Sequence, residues 1–235
     1  MPKPSTNKHA RLQDRDYEIL QHVLLYRMTT REVLHSLFFD LAEQNAVTKV
    51  TSRLCNDGFL ARYPLAGPSS YYAIGKRGAK LFGVSIRKVK PMGTQSLYMH
   101  LACLGFCFAK PRQRRRLSVS EMQKSYPGLV YKKLDSCQYV IDSSEAAPRI
   151  INLSIDCGSP AESIVRKTKG AIAEHAKQPL FAALMDNQRF VVACVTYHDD
   201  KKRVIEALFS KESLPFDIAT ETVPQLFEIQ AIQNV

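Results

Sequence analysis

The chain has 235 residues, of which 45% are apolar and 23% charged, with a formal net charge of +11; this is enough for two folded domains and excludes a mostly disordered polyelectrolyte. The longest strongly apolar run, 97–109 (LYMHLACLGFCFA), contains His100 and falls well short of the roughly 20 residues that span a bilayer, so no membrane segment is expected. The basic first residues have no apolar run behind them, so no secretory signal is read and a cytoplasmic location is expected.

Residues 1–11 are polar, basic and proline-containing and read as a flexible arm. Asp14 is a residue of the capping type, and Tyr17, Ile19, Leu20, Val23 and Leu24 follow at spacings of three and four, which predicts a first helix to about Arg27. After a short break at Met28 and Thr29, Thr30 is positioned to cap a second helix bearing Val33, Leu34, Leu37 and Phe38. A third helix over about 43–57 sets Ala46, Val47, Val50 and Leu54 on one side and Asn45, Thr48, Lys49, Ser52 and Arg53 on the other, and Gly58 ends it.

Two short β-rich runs, 59–64 and 70–74, flank a Gly-Pro-Ser turn and predict a hairpin. A basic helix then runs over 75–83. Helices, hairpin and closing helix follow the order of a winged helix-turn-helix, placed at 12–84. Residues 84–96 mark a linker, 97–110 a helix expected to be buried between two parts, and 111–116 (PRQRRR) a basic loop; together they make a connecting region over 85–116.

Beyond it, 130–134, 138–142, 149–156 and 189–196 read as strands, with helices at 161–177 and 199–209. This order predicts a small α/β domain with a mixed sheet at 117–223 and a tail at 224–235. The tail's apolar spacing suits either a partner-binding helix or a return onto its own core. The fold class is therefore α+β, a winged helix-turn-helix followed by the α/β domain.

Charge is segregated along the chain. Residues 1–116 hold 20 lysines and arginines against seven acids, and residues 117–235 hold 13 against 15. Clustered cations are what phosphate neutralisation requires, so the first half is expected to bind a polyanion. A helix about 10–12 Å wide fits the major groove of double-stranded DNA, and outward side chains then reach base edges and phosphates.

Candidate DNA contacts on the third helix are Asn45, Thr48, Lys49, Ser52 and Arg53, with no acidic residue from Gln44 to Asn56. Arg62 on the hairpin and Lys76, Arg77 and Lys80 beyond it are candidate backbone contacts. The cluster Arg112, Arg114, Arg115 and Arg116 either extends the phosphate contact or is a solvated loop. The arm, with Lys3, Lys8 and Arg11, is a further candidate for the minor groove.

The six cysteines form no CxxC pair, and no four-ligand zinc spacing is present, so reduced thiols are expected and no metal site. No Walker loop or dinucleotide glycine pattern occurs, and no cofactor is expected.

The segments RDYEILQHVLLYRMTTREVLHSLFF, KVTSRLCNDGFLARY and YYAIGKRGAKLFG resemble the amino-terminal half of the plasmid replication-relaxation family. Residues Ile151 to Gly158, with the helix from Arg166 to His175, resemble that family's carboxy-terminal domain, which is similar to the restriction-endonuclease-like fold; Ser154 stands where family members often have glutamate. The resemblance implies a protein of plasmids or other mobile elements acting at a replication or transfer origin, or as a transcriptional regulator.

A nuclease of that fold needs acids to hold Mg²⁺ and a lysine near the attacking water. Asp142 and Asp156, on adjacent predicted strands, are the candidates for such a pair, but Gly158 occupies the lysine position. The chain is therefore read as a DNA-binding protein rather than an enzyme, with a metal-dependent endonuclease as the alternative. A third reading makes the second domain a docking module for a relaxase, a replication initiator or a second copy of the chain.

Overall fold

The computed structural model describes residues 12–40, 43–110, 113–126, 139–215 and 218–226. The expected strand at 130–134, Arg112, Cys137, the arm at 1–11 and most of the tail lie outside the described residues. The chain divides into two compact units, Met1–Pro91 and Met92–Val235. The division falls inside the polar segment at 84–96. Among the described residues, no helix is long and apolar enough to cross a membrane.

The first unit runs α1 (Asp14–Tyr26), β1 (Thr29–Thr30), α2 (Arg31–Phe38), α3 (Gln44–Asn56), β2 (Leu60–Pro64), β3 (Ser70–Ile74) and α4 (Lys76–Leu81), followed by a 3-10 turn at Ile86–Val89. Ile19, Leu20 and Val23 of α1, Leu34 of α2, Val47 and Leu54 of α3 and Leu60 of β2 form one fully buried core. Each such side chain contributes about 1.5–3 kcal/mol on leaving water, and the three- and four-residue spacing of the apolar positions turns the helices inward.

The cap of α1 is Gln13 rather than Asp14: Gln13 N donates to Asp16 Oδ2 at 2.8 Å. The Thr30 cap of α2 forms as expected, with Val33 N donating to its hydroxyl. Met28 and Thr29, read as a break, instead lead into β1, where Thr29 and Thr30 pair with Tyr72 and Tyr71. A two-residue strand has no periodicity to detect, and its partner lies more than forty residues along the chain. The hairpin forms with Arg62 opposite Tyr72 and Tyr63 opposite Tyr71, completing a three-stranded antiparallel sheet ordered β1-β3-β2.

Gly75 and Gly78 let α4 sit directly on the backbone between α3 and β2. A Cβ at Gly75 would lie 2.3 Å from Gly58 O, and one at Gly78 2.4 Å from Phe59 O, distances no side chain tolerates. Part of the expected linker also belongs to this unit, since Val89 is buried in its core and its carbonyl accepts from the Tyr63 hydroxyl.

His22 is hydrogen-bonded through Nε2 to Thr29 Oγ1 at 3.0 Å and packs against Tyr26 and Phe38. Burial lowers its pKa to about 4. A histidine depressed below its unfolded value of about 6.5 holds its stability above pH 6.5 and loses it as the pH falls toward 4. The first unit is expected to lose at most about 2 kcal/mol between pH 7.5 and pH 5 through this ring, part of the effect being screened by water at its open edge. Urea titrations at the two pH values check this, and His22→Gln is expected to flatten the difference.

The second unit runs α5 (Thr94–Ala109), β4 (Arg114–Arg116), α6 (Val119–Ser125), β5 (Tyr139–Asp142), β6 (Arg149–Ile155), α7 (Ala161–Ala176), α8 (Pro179–Asp186), β7 (Phe190–Thr196), α9 (Asp199–Phe209) and β8 (Ala219–Thr222). Its sheet is mixed, ordered β4-β5-β6-β7-β8, with β4, β5 and β6 antiparallel and β6, β7 and β8 parallel. The right-handed crossovers expected of parallel strands need the intervening helices α7 and α9, which pack on each other. The observed architecture is thus α+β with two sheets, one of them mixed.

Several expectations change here. The helix α5, expected between two parts, packs on β4 and β6 of its own unit, and Gly105 admits Val223 where a Cβ would meet the Val223 methyl at 2.5 Å. The expected basic loop is an edge strand in its last three residues. α6, α8 and β8 were not foreseen. The described start of the tail turns back onto this unit, with Val223 N donating to Thr196 O and Leu226 fully buried.

Candidate nucleic-acid interface

The helix α3 separates its two faces cleanly. Val47, Thr51 and Leu54 are buried, and the Thr51 hydroxyl returns its hydrogen bond to Val47 O at 2.8 Å. Asn45, Thr48, Lys49, Ser52 and Asn56 are all exposed. At 100° per residue these five fall within one narrow stripe opposite the buried one. The helix is therefore held by one face and presents amide, hydroxyl and ammonium groups on the other.

Arg53 sits on the flank of that stripe and is already engaged. Its Nη2 donates to Asp16 Oδ1 at 2.6 Å, and Asp16 is fully buried with its other oxygen taken by Gln13 N. The pair pins α3 to the start of α1. Desolvation makes such a carboxylate costly without its cation, so this guanidinium is a structural partner first.

Arg62 is exposed on β2 and stands near the last turn of α3: burial raises the Cys55 thiol, and the Arg62 charge opposes that shift. Lys76, Arg77 and Lys80 are exposed on α4. Arg77 lies over the Phe59 ring, 4.6 Å from its centroid, and donates to Asp57 O at 3.1 Å, which fixes α4 beside the carboxyl end of α3. Lys76, Arg77, Lys80, Ala79, Val84 and Ile86 line a shallow groove there. The polar stripe of α3 is thus bordered at one end by a cationic group of side chains.

The arginine cluster of the second unit does not join this surface as a loop. Among its described residues, Arg114 and Arg116 are buried and Arg115 is exposed, the in-out-in alternation of a strand. Arg114 donates to Asp142 Oδ2 at 3.1 Å and to both oxygens of Glu221 at 2.7 and 2.6 Å, and stacks 4.0 Å from the centre of the Phe106 ring. Arg115 pairs with Glu121. Arg114 and Arg116 are therefore withdrawn as phosphate contacts, because burial takes them from solvent. Divided at Pro91, the first unit carries 15 lysines and arginines against seven acids and the second 18 against 15. Most of the excess, +8 of +11, lies in the first unit.

The carboxylates considered for a metal do not form a pair. Asp142 stands across from Arg149 at the start of β6, whereas Asp156 follows the other end of that strand, seven residues or about 20 Å further along. Burial disfavours the Asp142 carboxylate, but hydrogen bonds from Ser144 and Arg114 overcome this and leave its pKa below the usual range. Asp156 is fully buried and saturated: Gly158 N donates to Oδ1 at 3.0 Å, Thr196 Oγ1 to Oδ2 at 2.8 Å, and Lys201 Nζ reaches both oxygens at 2.9 and 2.8 Å. No group of three or more histidine, cysteine, aspartate or glutamate side chains suited to a metal ion occurs among the described residues.

The Asp156–Thr196–Lys201 cluster was missed from sequence beyond Asp156 itself. It lies at the carboxyl ends of parallel β6 and β7 and ties both to α9. Tyr98 on α5 is close enough to feel the Asp156 charge, yet its buried hydroxyl has no hydrogen-bond partner among the described residues. The cysteines Cys55, Cys103, Cys107, Cys157 and Cys194 are free thiols. No family model, no curated protein and no solved structure matches the chain.

Proposed function

We propose that the first unit is a winged helix-turn-helix that binds double-stranded DNA, with α3 in the major groove, the β2–β3 hairpin as the wing and α4 against the phosphates. The observation that carries this reading is the exposed, acid-free stripe of α3 opposite a face buried at Val47, Thr51 and Leu54. The order α1-β1-α2-α3-β2-β3 and the three-stranded sheet support it, and so does the charge excess of this unit.

The contacts we assign are Asn45, Thr48, Lys49 and Ser52 to base edges, and Arg62, Lys76, Arg77 and Lys80 to the backbone. The resemblance to the plasmid replication-relaxation family supports a role on a plasmid or other mobile element in the cytoplasm, at a replication or transfer origin or in transcription. The second unit, with its mixed sheet and the order α5-β4-α6-β5-β6-α7-α8-β7, supports a degenerate restriction-endonuclease-like fold used to dock a relaxase, a replication initiator or a second copy. The endonuclease alternative loses the metal pair on which it was founded.

The test is affinity for a duplex from the chain's own upstream DNA or the nearest origin, measured by fluorescence anisotropy. Thr48→Ala with Lys49→Ala is expected to weaken binding at least tenfold, as loss of a good base contact does. Arg53→Ala is a poor probe, because it also strips the cation from buried Asp16. Affinity unchanged in the Thr48, Lys49 double variant would remove α3 from the interface.

A further inference from the structure

The two cations of α3 are not equivalent, and this bears on which bases the helix reads. Among side chains, arginine and lysine are the usual donors to the guanine O6 and N7 acceptors, whereas asparagine offers both a donor and an acceptor to the adenine N6 and N7 edge. Arg53 lies on the flank of the stripe, its guanidinium anchored through Nη2 to Asp16 Oδ1 at 2.6 Å, and Asp16 has no exposure through which solvent could replace it. That leaves Lys49 as the cation on the exposed stripe.

The rest of the stripe is neutral. Asn45 stands in the first turn of α3, the part of a recognition helix that comes nearest the base edges. Thr48 and Ser52 follow on the same stripe, and the Thr48 methyl can pack on the thymine methyl. Asn45 to Ser52 are separated by seven helical rises, about 10 Å, which matches about three base-pair steps. Asn56 lies a turn further on, where α4 brings Arg77 beside the chain, and so faces the backbone rather than the bases.

We infer that α3 selects an A·T-rich half-site core of three to four base pairs, with adenine read by Asn45, thymine by Thr48 and at most one guanine, read by Lys49. This rests on the major-groove reading of α3 given above and adds the sequence class of its target. Arg53, which by residue type is the obvious guanine reader, is tied to α1 by its buried partner and lies off the exposed stripe.

The experiment is selection of duplexes from a random-sequence pool by the full chain, followed by sequencing, with wild type, Asn45→Ala and Lys49→Ala compared. The expected wild-type result is an enriched core dominated by A·T pairs. Asn45→Ala is expected to erase the preference at one adenine position, about tenfold in relative affinity, and Lys49→Ala to relax the guanine position while leaving the adenine intact. A G·C-dominated core, a core that Asn45→Ala leaves unchanged, or retention of duplex with no enriched core would overturn this inference while leaving DNA binding in place. Failure of wild type to retain any duplex would overturn the major-groove reading itself, and the inference with it.

Discussion

Replacing Arg114 by methionine is expected to lower the stability of the second unit by about 3–5 kcal/mol, the range for breaking a buried ion pair from one side. Its side chain is 5% exposed, as is that of Asp142, while Glu221 is 26% exposed. The guanidinium joins β4 to β5 through Asp142 and reaches across to β8 through Glu221, so it links the two edge strands of the sheet. Phe106 of α5 supplies both a ring face and a carbonyl to the same group. Methionine fills much of the volume but leaves two carboxylates near one another without a cation.

For a unit of this size that loss corresponds to a fall in Tm of roughly 10 °C. Calorimetry on the full chain reads it, since the transition of the second unit should shift and that of the first should not. Asp142→Asn in the Arg114→Met background is expected to recover part of the loss by removing one of the stranded charges. A fall of less than about 2 °C in the single variant would show that the two acids find other partners at little cost.

What could be read from the sequence was local, and what could not was paired across distance. The inward and outward faces of α3 follow from a 3.6-residue period, and the Thr30 cap and the hairpin from residue types at fixed offsets. Taken alone, Arg114 and Arg116 read as either a phosphate contact or a solvated loop, because three consecutive arginines look solvent-facing. Their burial depends on partners 28 and 107 residues away in the case of Arg114, and no window of sequence contains both. Arg53 likewise reads as a DNA contact from sequence, since Asp16 is 37 residues distant.

The same physics explains why Asp156 was recognisable as a candidate and its setting was not. An aspartate closing an apolar strand suggests a carboxylate held at a strand end. Only the parallel pairing of β6 with β7 brings Thr196 to it, and only the following helix α9 brings Lys201, 45 residues on.

That setting leads to an asymmetry between two substitutions. Lys201 keeps 17% side-chain exposure, and Asp156 has none. Lys201→Met therefore leaves a carboxylate that cannot reach water, and is expected to cost the second unit about 3–5 kcal/mol. Asp156→Asn leaves an ammonium on a flexible stem that can turn outward, while the amide oxygen still accepts from Gly158 N or Thr196; it is expected to cost about 1–2 kcal/mol.

Urea unfolding of the two variants and of the double variant measures this order. The double variant is expected to be more stable than Lys201→Met alone, because neutralising Asp156 removes the stranded charge. If Asp156→Asn proved the more damaging change, the cluster would have to be held for the sake of the lysine, and the carboxylate would be its servant rather than the reverse. If Lys201→Met cost less than about 1 kcal/mol, the backbone and hydroxyl donors at Gly158 and Thr196 would suffice to hold the charge, and Lys201 would be free to act elsewhere on the surface of this unit.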